Sequence, residues 1–165
     1  MIANITTGKN AYGILNYNQL KVNKGKASVL STRLIFEDPD GKYNVSKMAE
    51  EFHNSMPECI RTEKPIVHIS LNPDPKDEID DELLITMAEE YLDGMGWGKQ
   101  PYIIYKHTDN KRLHIHIVTT QVDITGRKIN DSHRNRRSVA LTEELEKKYH
   151  LHPAKERKQE TLWQL

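Results

Sequence analysis

Three histidines with an aspartate between them stand in the spacing His-x-Asp-x4-His-x-His: His107, Asp109, His114 and His116. They fall in a stretch, Tyr102 to Val118, in which two β-branched apolar runs flank a short polar connection from Thr108 to Arg112, and this reads as a β-hairpin. On the second strand Leu113, Ile115 and Ile117 point one way and His114 and His116 the other, so the two imidazoles lie about 7 Å apart on one face. His107 ends the first strand beside the start of the second, which brings a third imidazole to the same place. Asp109, just inside the loop, is placed to orient one ring through a hydrogen bond. Three neutral imidazoles bind a divalent cation without cancelling its charge, and they leave positions open for water or substrate oxygens. A cation of that kind is suited to polarising a phosphate. Imidazole suits zinc, manganese, cobalt or nickel, and the sequence does not choose among them. Water as the attacking group makes a hydrolase of such a site; a side-chain oxygen makes a strand-transferring enzyme. A single histidine on a strand is ordinarily a polar residue on a wet face, but three in a hairpin with an aspartate form a specific pattern.

The elements that must position this hairpin follow from periodicity. Met1 to Thr6 reads as a short strand, Ala11 to Val22 as a helix carrying Tyr12, Ile14, Leu15, Tyr17 and Leu20, and Ala27 to Phe36 as a strand. The two helix tyrosines are five residues apart and face different directions. Val45, Met48, Ala49, Phe52 and Met56 recur at helical spacing, giving an amphipathic helix from Asn44 to Met56. Ile66 to Asn72 is a strand opened by Pro65. The clearest helix begins at Asp80, Asp81 and Glu82, where the helix dipole favours acids, and is stopped by Gly94 and Gly96. Its acids are helix starts and a solvated face. After the hairpin, Arg127 to Asn130 reads as a short strand, and the basic stretch Ser132 to Ser138 leads into a helix ending near Tyr149. Strands interleaved with helices around a hairpin predict an α+β domain, a largely antiparallel sheet with helices packed on one side.

At 165 residues the chain is one domain with room for a core. Its formal net charge of zero argues mildly against nucleic acid, yet charge is unevenly spread: Asp74 to Asp93 is acidic, Arg127 to Arg137 and Lys147 to Lys158 are basic. The single Cys59 rules out an internal disulfide and fits a reducing compartment. No apolar run is long enough to span a membrane and the N-terminus lacks a signal-peptide pattern, so a cytoplasmic protein is expected.

The segment His107 to Val118 resembles the metal motif of relaxases, the mobilisation nucleases of the HUH endonuclease superfamily. The likeness extends to Lys64–Pro73, to the run Gln100–His107 into the motif, and to Gly126–Ser132, Arg136–Ser138 and Leu145–Tyr149 after it. Tyr12 to Asn18 matches the region in which such proteins carry a nucleophilic tyrosine. The resemblance covers about Met1 to Ala154, a relaxase domain over 1–154, and leaves 155–165 as a charged tail that reads as the start of a longer C-terminal region.

That resemblance implies an HUH endonuclease-like fold and a metal-dependent enzyme, using Mn, Mg or Zn, that nicks one DNA strand at an origin of transfer. It implies a 5′-phosphotyrosine intermediate, later rejoining of the ends, and a role in bacterial conjugative mobilisation. Single-stranded DNA is the implied partner, with accessory mobilisation proteins and a coupling protein around a monomeric domain. Tyr17 is the candidate nucleophile by position and Tyr12 the alternative. A phenol of pKa ~10 needs activation, by a cation or by a base such as histidine or Asp109. Arg127, Lys128, Arg134, Arg136 and Arg137 are candidate phosphate contacts, or simply a solvated face. His68 is read as a half-buried histidine bonded to backbone, outside the metal shell; His133, His150 and His152 are read as surface. Rival readings are a rolling-circle initiator or transposase of the same superfamily, a plain metal-dependent hydrolase, and a metal-bound DNA-binding module that does not cut.

Overall fold

The structure, a computed structural model, describes residues 1–108 and 112–154. Asp109 and the tail 155–165 lie outside the described residues. Among these residues the order of elements is β1 (Ile2–Gly8), α1 (Tyr12–Asn23), β2 (Ala27–Arg33), α2 (Val45–Asn54), β3 (Ile66–Asn72), α3 (Asp81–Met95), β4 (Tyr102–His107), β5 (His114–Thr120) and α4 (Arg134–Lys148). The five strands form one antiparallel sheet in the order β1-β3-β5-β4-β2. The histidine hairpin thus supplies two adjacent inner strands, and β3 lies against its second arm. An inner strand has both edges hydrogen-bonded, so the backbone carrying the histidines is held from both sides.

Apolar side chains on both faces of β3, β4 and β5 explain why this sheet is covered twice. Val67, Ile69, Ile104, Ile115 and Ile117 point to one face and pack under α3 and α4. Ile66, Ile103, Tyr105 and Val118 point to the other and pack under α1 and α2 through Leu15, Met48 and Phe52. Helices on one side only were expected; the structure corrects this, because runs such as Ile103-Ile104-Tyr105 present apolar groups to both faces and both need a cover. The second cover is incomplete. Along β1 and β3, Ile2, Asn4 and Thr6 are exposed and pair with Asn72, Ser70 and His68, which are half-buried. A polar strip of sheet therefore stays open beside the histidines.

Local chemistry sets the boundaries. Asp80 caps α3, accepting a hydrogen bond from the Leu83 N–H at 2.8 Å, and Gly96 ends the helix at φ 92°. Gly94 is not the stop expected of it: it lies inside α3, where an added Cβ would stand 2.4 Å from Leu141 of α4. β2 ends at Arg33, earlier than the expected Phe36, because Leu34 adopts a left-handed backbone with φ 59°. The strand expected over Arg127 to Asn130 reduces to a single bridge between Val122 and Lys128. The basic stretch expected to precede the last helix is largely its first turn, which starts at Arg134.

Candidate metal centre

The hairpin register puts His107 directly opposite His114, and Tyr105 opposite His116. Side chains two apart on a strand share a face, and directly opposed residues do too, so three imidazoles converge. Their ring centroids are 4.1 Å apart for His107 and His116, and 5.0 Å for each of the other two pairs. One nitrogen from each lies within 4.8 Å of the others. His107 is buried, and His114 and His116 are half-buried, so the cluster has a dry floor and a wet mouth. Three nitrogen donors on one side, with the solvent side open, fit a divalent cation that keeps positions for substrate.

Each ring is held by a separate hydrogen-bond partner. His114 Nδ1 lies 3.1 Å from the Arg112 carbonyl, which fixes the proton on Nδ1 and leaves Nε2 as the ligand nitrogen. His107 Nε2 lies 2.7 Å from Oδ1 of Asn18 on α1. The Asn18 amide is fully buried and donates in turn to the Ile14 carbonyl at 2.9 Å, so the orientation of its oxygen is set. His116 Nδ1 lies 2.7 Å from His68 Nε2. His68 is half-buried as expected, but the partner found here is a ring of the cluster rather than backbone, a correction that follows from the diagonal position of His68 across the β3–β5 ladder. Burial lowers the pKa of His68. Nothing in the sequence points to Asn18. An asparagine inside a helix carries no signal of a partner 89 residues away.

Asn18 also relates α1 to the cluster. One residue rotates a helix by about 100°, so Tyr17 and Gln19 flank Asn18 on opposite sides. Gln19 is 8% exposed and Tyr17 is 52% exposed, which puts Tyr17 on the open flank of the helix. The Lys21 ammonium lies 5.7 Å from the centre of the Tyr17 ring. Tyr12 is also exposed, but it lies six residues before Asn18, about 9 Å farther along the axis. Tyr105 is next to His116 in the sheet, yet burial and the neighbouring Tyr43 push its phenol far above the ordinary range, and its hydroxyl finds no partner among the described residues. Tyr105→Phe is therefore expected to raise stability by about 1 kcal/mol in urea unfolding, since a buried unsatisfied hydroxyl is removed.

The five basic candidates divide by environment. Arg127, Lys128 and Arg136 are exposed, and Lys128 pairs with Asp131 at 2.8 Å. Arg134 is half-buried, stacked over Trp97 and hydrogen-bonded to Gln121 Oε1. Arg137 donates to the carbonyls of Asn130, Ser132 and Met95, each at 3.0 Å, and so closes the end of α3 against the start of α4. Lys128 and Arg134 line an open groove with Arg61 and Lys64, two cations the sequence did not single out. The groove lies toward the end of β3 and β5 away from the cluster, with Lys64 four residues before His68 and Gln121 five after His116.

An antiparallel sheet that presents three imidazoles on an open face, beside a helix with an exposed tyrosine, is equipped for metal-assisted phosphoryl chemistry. A family model described as relaxase, MobA/VirD2-like, nuclease domain, matches residues 17–151. The chain belongs to this relaxase family, whose members act on DNA as metal-dependent nicking nucleases. Comparison with curated proteins gives no match. The family match begins at Tyr17 and takes in all three histidines of the cluster. Among the described residues, no helix is long and apolar enough to cross a membrane.

Proposed function

We propose that this domain nicks and rejoins one DNA strand at an origin of transfer through a covalent 5′-phosphotyrosine on Tyr17, and so initiates conjugative mobilisation in the bacterial cytoplasm. The observation that carries the reading is the Asn18–His107 hydrogen bond, which ties the helix bearing an exposed Tyr17 to the histidine cluster. A tyrosine packed into the core would have favoured a module that binds DNA without cutting; Tyr17 is half exposed.

In this mechanism the Tyr17 oxygen attacks the scissile phosphorus. A bond to tyrosine forms as the bond to the 3′ oxygen breaks, and the departing oxygen takes up a proton. The phenol proton passes to a base, for which Asp109 or a histidine is proposed. His107, His114 and His116 would hold a divalent cation (Mn, Mg or Zn), which when bound would supply Lewis-acid polarisation of the phosphate. One phosphodiester is exchanged for another, so no ATP is needed, and attack by the 3′ hydroxyl on the phosphotyrosine restores the strand. Arg127, Lys128, Arg134 and Arg136 hold flanking phosphates, with Arg137 shaping the turn that presents them. Accessory mobilisation proteins and a coupling protein complete the assembly around a monomeric domain spanning 1–154.

Supercoiled plasmid carrying the element's own origin, incubated with the protein and Mn²⁺, is expected to yield open circles cut at one position on one strand. Prior treatment with EDTA should abolish the product, and added Mn²⁺ should restore it. Linear or fragmented DNA, or nicking that EDTA leaves unchanged, would count against the reading.

A further inference from the structure

His68 has no task in the chemistry described so far, yet it makes one of the shortest side-chain contacts of the histidine face. We propose that His68 is a positioning residue: its Nε2 accepts a hydrogen bond from Nδ1–H of His116 and so fixes the tautomer and ring plane with which His116 offers Nε2 to a divalent cation. The inference rests on the metal centre assigned to His107, His114 and His116 under the proposed function.

Three observations carry it. In the β3–β5 ladder Ser70 stands opposite His116 and His68 opposite Val118, so His68 is the diagonal neighbour of His116 on one face. The two nitrogens are 2.7 Å apart. The ring planes are only 16° apart with centroids at 4.9 Å, as a bond lying in the ring planes requires, so turning one ring disturbs the other. The direction of the bond follows from valence. A neutral imidazole that ligates through Nε2 must carry its proton on Nδ1, and the His68 nitrogen facing that proton must then be the acceptor. Ligating histidines commonly find such an acceptor in a carboxylate. A second imidazole does the same work without adding negative charge beside the cation, and this keeps the full double charge available to a phosphate.

The test compares the full 165-residue chain with His68→Phe, which keeps a ring and loses the acceptor, His68→Gln, whose amide oxygen reaches nearly to the Nε2 position, and His68→Asn, one methylene too short. Co²⁺ and Mn²⁺ affinities are measured by calorimetry, and the visible spectrum of the Co²⁺ form reports ligand geometry. His68→Phe and His68→Asn are expected to weaken Co²⁺ binding by about 10- to 100-fold and to shift the spectrum, while His68→Gln recovers most of both. Nicking should fall in kcat with KM for the DNA little changed. In a His116→Ala background the same substitutions should alter Co²⁺ affinity no further. Wild-type affinity and spectrum in His68→Phe would overturn the inference and leave the metal centre standing. Equal losses in His68→Gln and His68→Asn would overturn it too, since distance to the acceptor would then not matter. Absence of metal binding by the unaltered chain would overturn the centre itself, and this inference with it.

Discussion

Tyr17→Phe is expected to lower DNA nicking by on the order of 10³-fold or more while leaving DNA binding within about twofold of the unaltered chain. The substitution removes one oxygen from a side chain that is 52% exposed, so the fold has little reason to change. The oxygen is the proposed nucleophile, and a benzene ring offers no replacement. Binding is carried mainly by phosphate contacts at cationic side chains, which the change does not touch. Nicking rates and gel-shift affinities measured at one salt concentration check both halves together. Tyr12→Phe serves as the control and should nick normally. If it is the defective variant instead, the chemistry stands and the residue is corrected; if both variants nick at the ordinary rate, a tyrosine nucleophile on α1 is wrong.

His114→Ala is expected to cost both metal and cutting. Of the three rings it is the most informative to remove. His107 is buried and holds Asn18, and His116 is bonded to His68, so either change would loosen the sheet face as well. His114 is half-buried and its Nδ1 bonds to the carbonyl of Arg112 in the same hairpin. Taking one ligand from three should weaken metal binding by at least about 100-fold, which exceeds the loss expected from removing only a supporting partner. A ligand that binds only the folded state stabilises it by about 2.7 kcal/mol at one hundred times its Kd. The unaltered chain should therefore melt higher when Mn²⁺ is added, and His114→Ala should melt at one temperature with or without it. A metal-dependent rise in Tm that survives in His114→Ala would remove that residue from the ligand set.

Much of this arrangement is legible in the residues alone. β3 spans the expected Ile66–Asn72, and the β4–β5 hairpin gathers His107, His114 and His116 as the two-residue alternation requires. Both follow from local rules: period two, a polar connection, and a proline at the strand entry. Most of what the residues alone leave out concerns contacts between distant segments. His68 alternates with Val67 and Ile69 as any wet-face polar residue does, and only the β3–β5 register reveals that it stands diagonal to His116. Asn18 is silent for the same reason, since its partner comes from β4. Gly94 resembles a helix stop because glycine usually weakens helices, but here the missing side chain admits Leu141. The second helical layer does carry a local signal: the apolar run Ile103-Ile104-Tyr105 cannot leave either face of its strand in water.

The measurement that bears most directly on the central claim is capture of the covalent intermediate. A single-stranded oligonucleotide containing the element's origin of transfer, labelled on the 3′ side of the nick and built so that the released fragment bearing the 3′ hydroxyl is lost and cannot reseal, is incubated with the domain and Mn²⁺. The product is run on a denaturing gel and its adducted peptide identified by mass spectrometry. A DNA-linked band whose phosphate is attached to Tyr17 is expected. Cutting at the origin with no protein attached to either end would contradict it, because water rather than tyrosine would then be the attacking group.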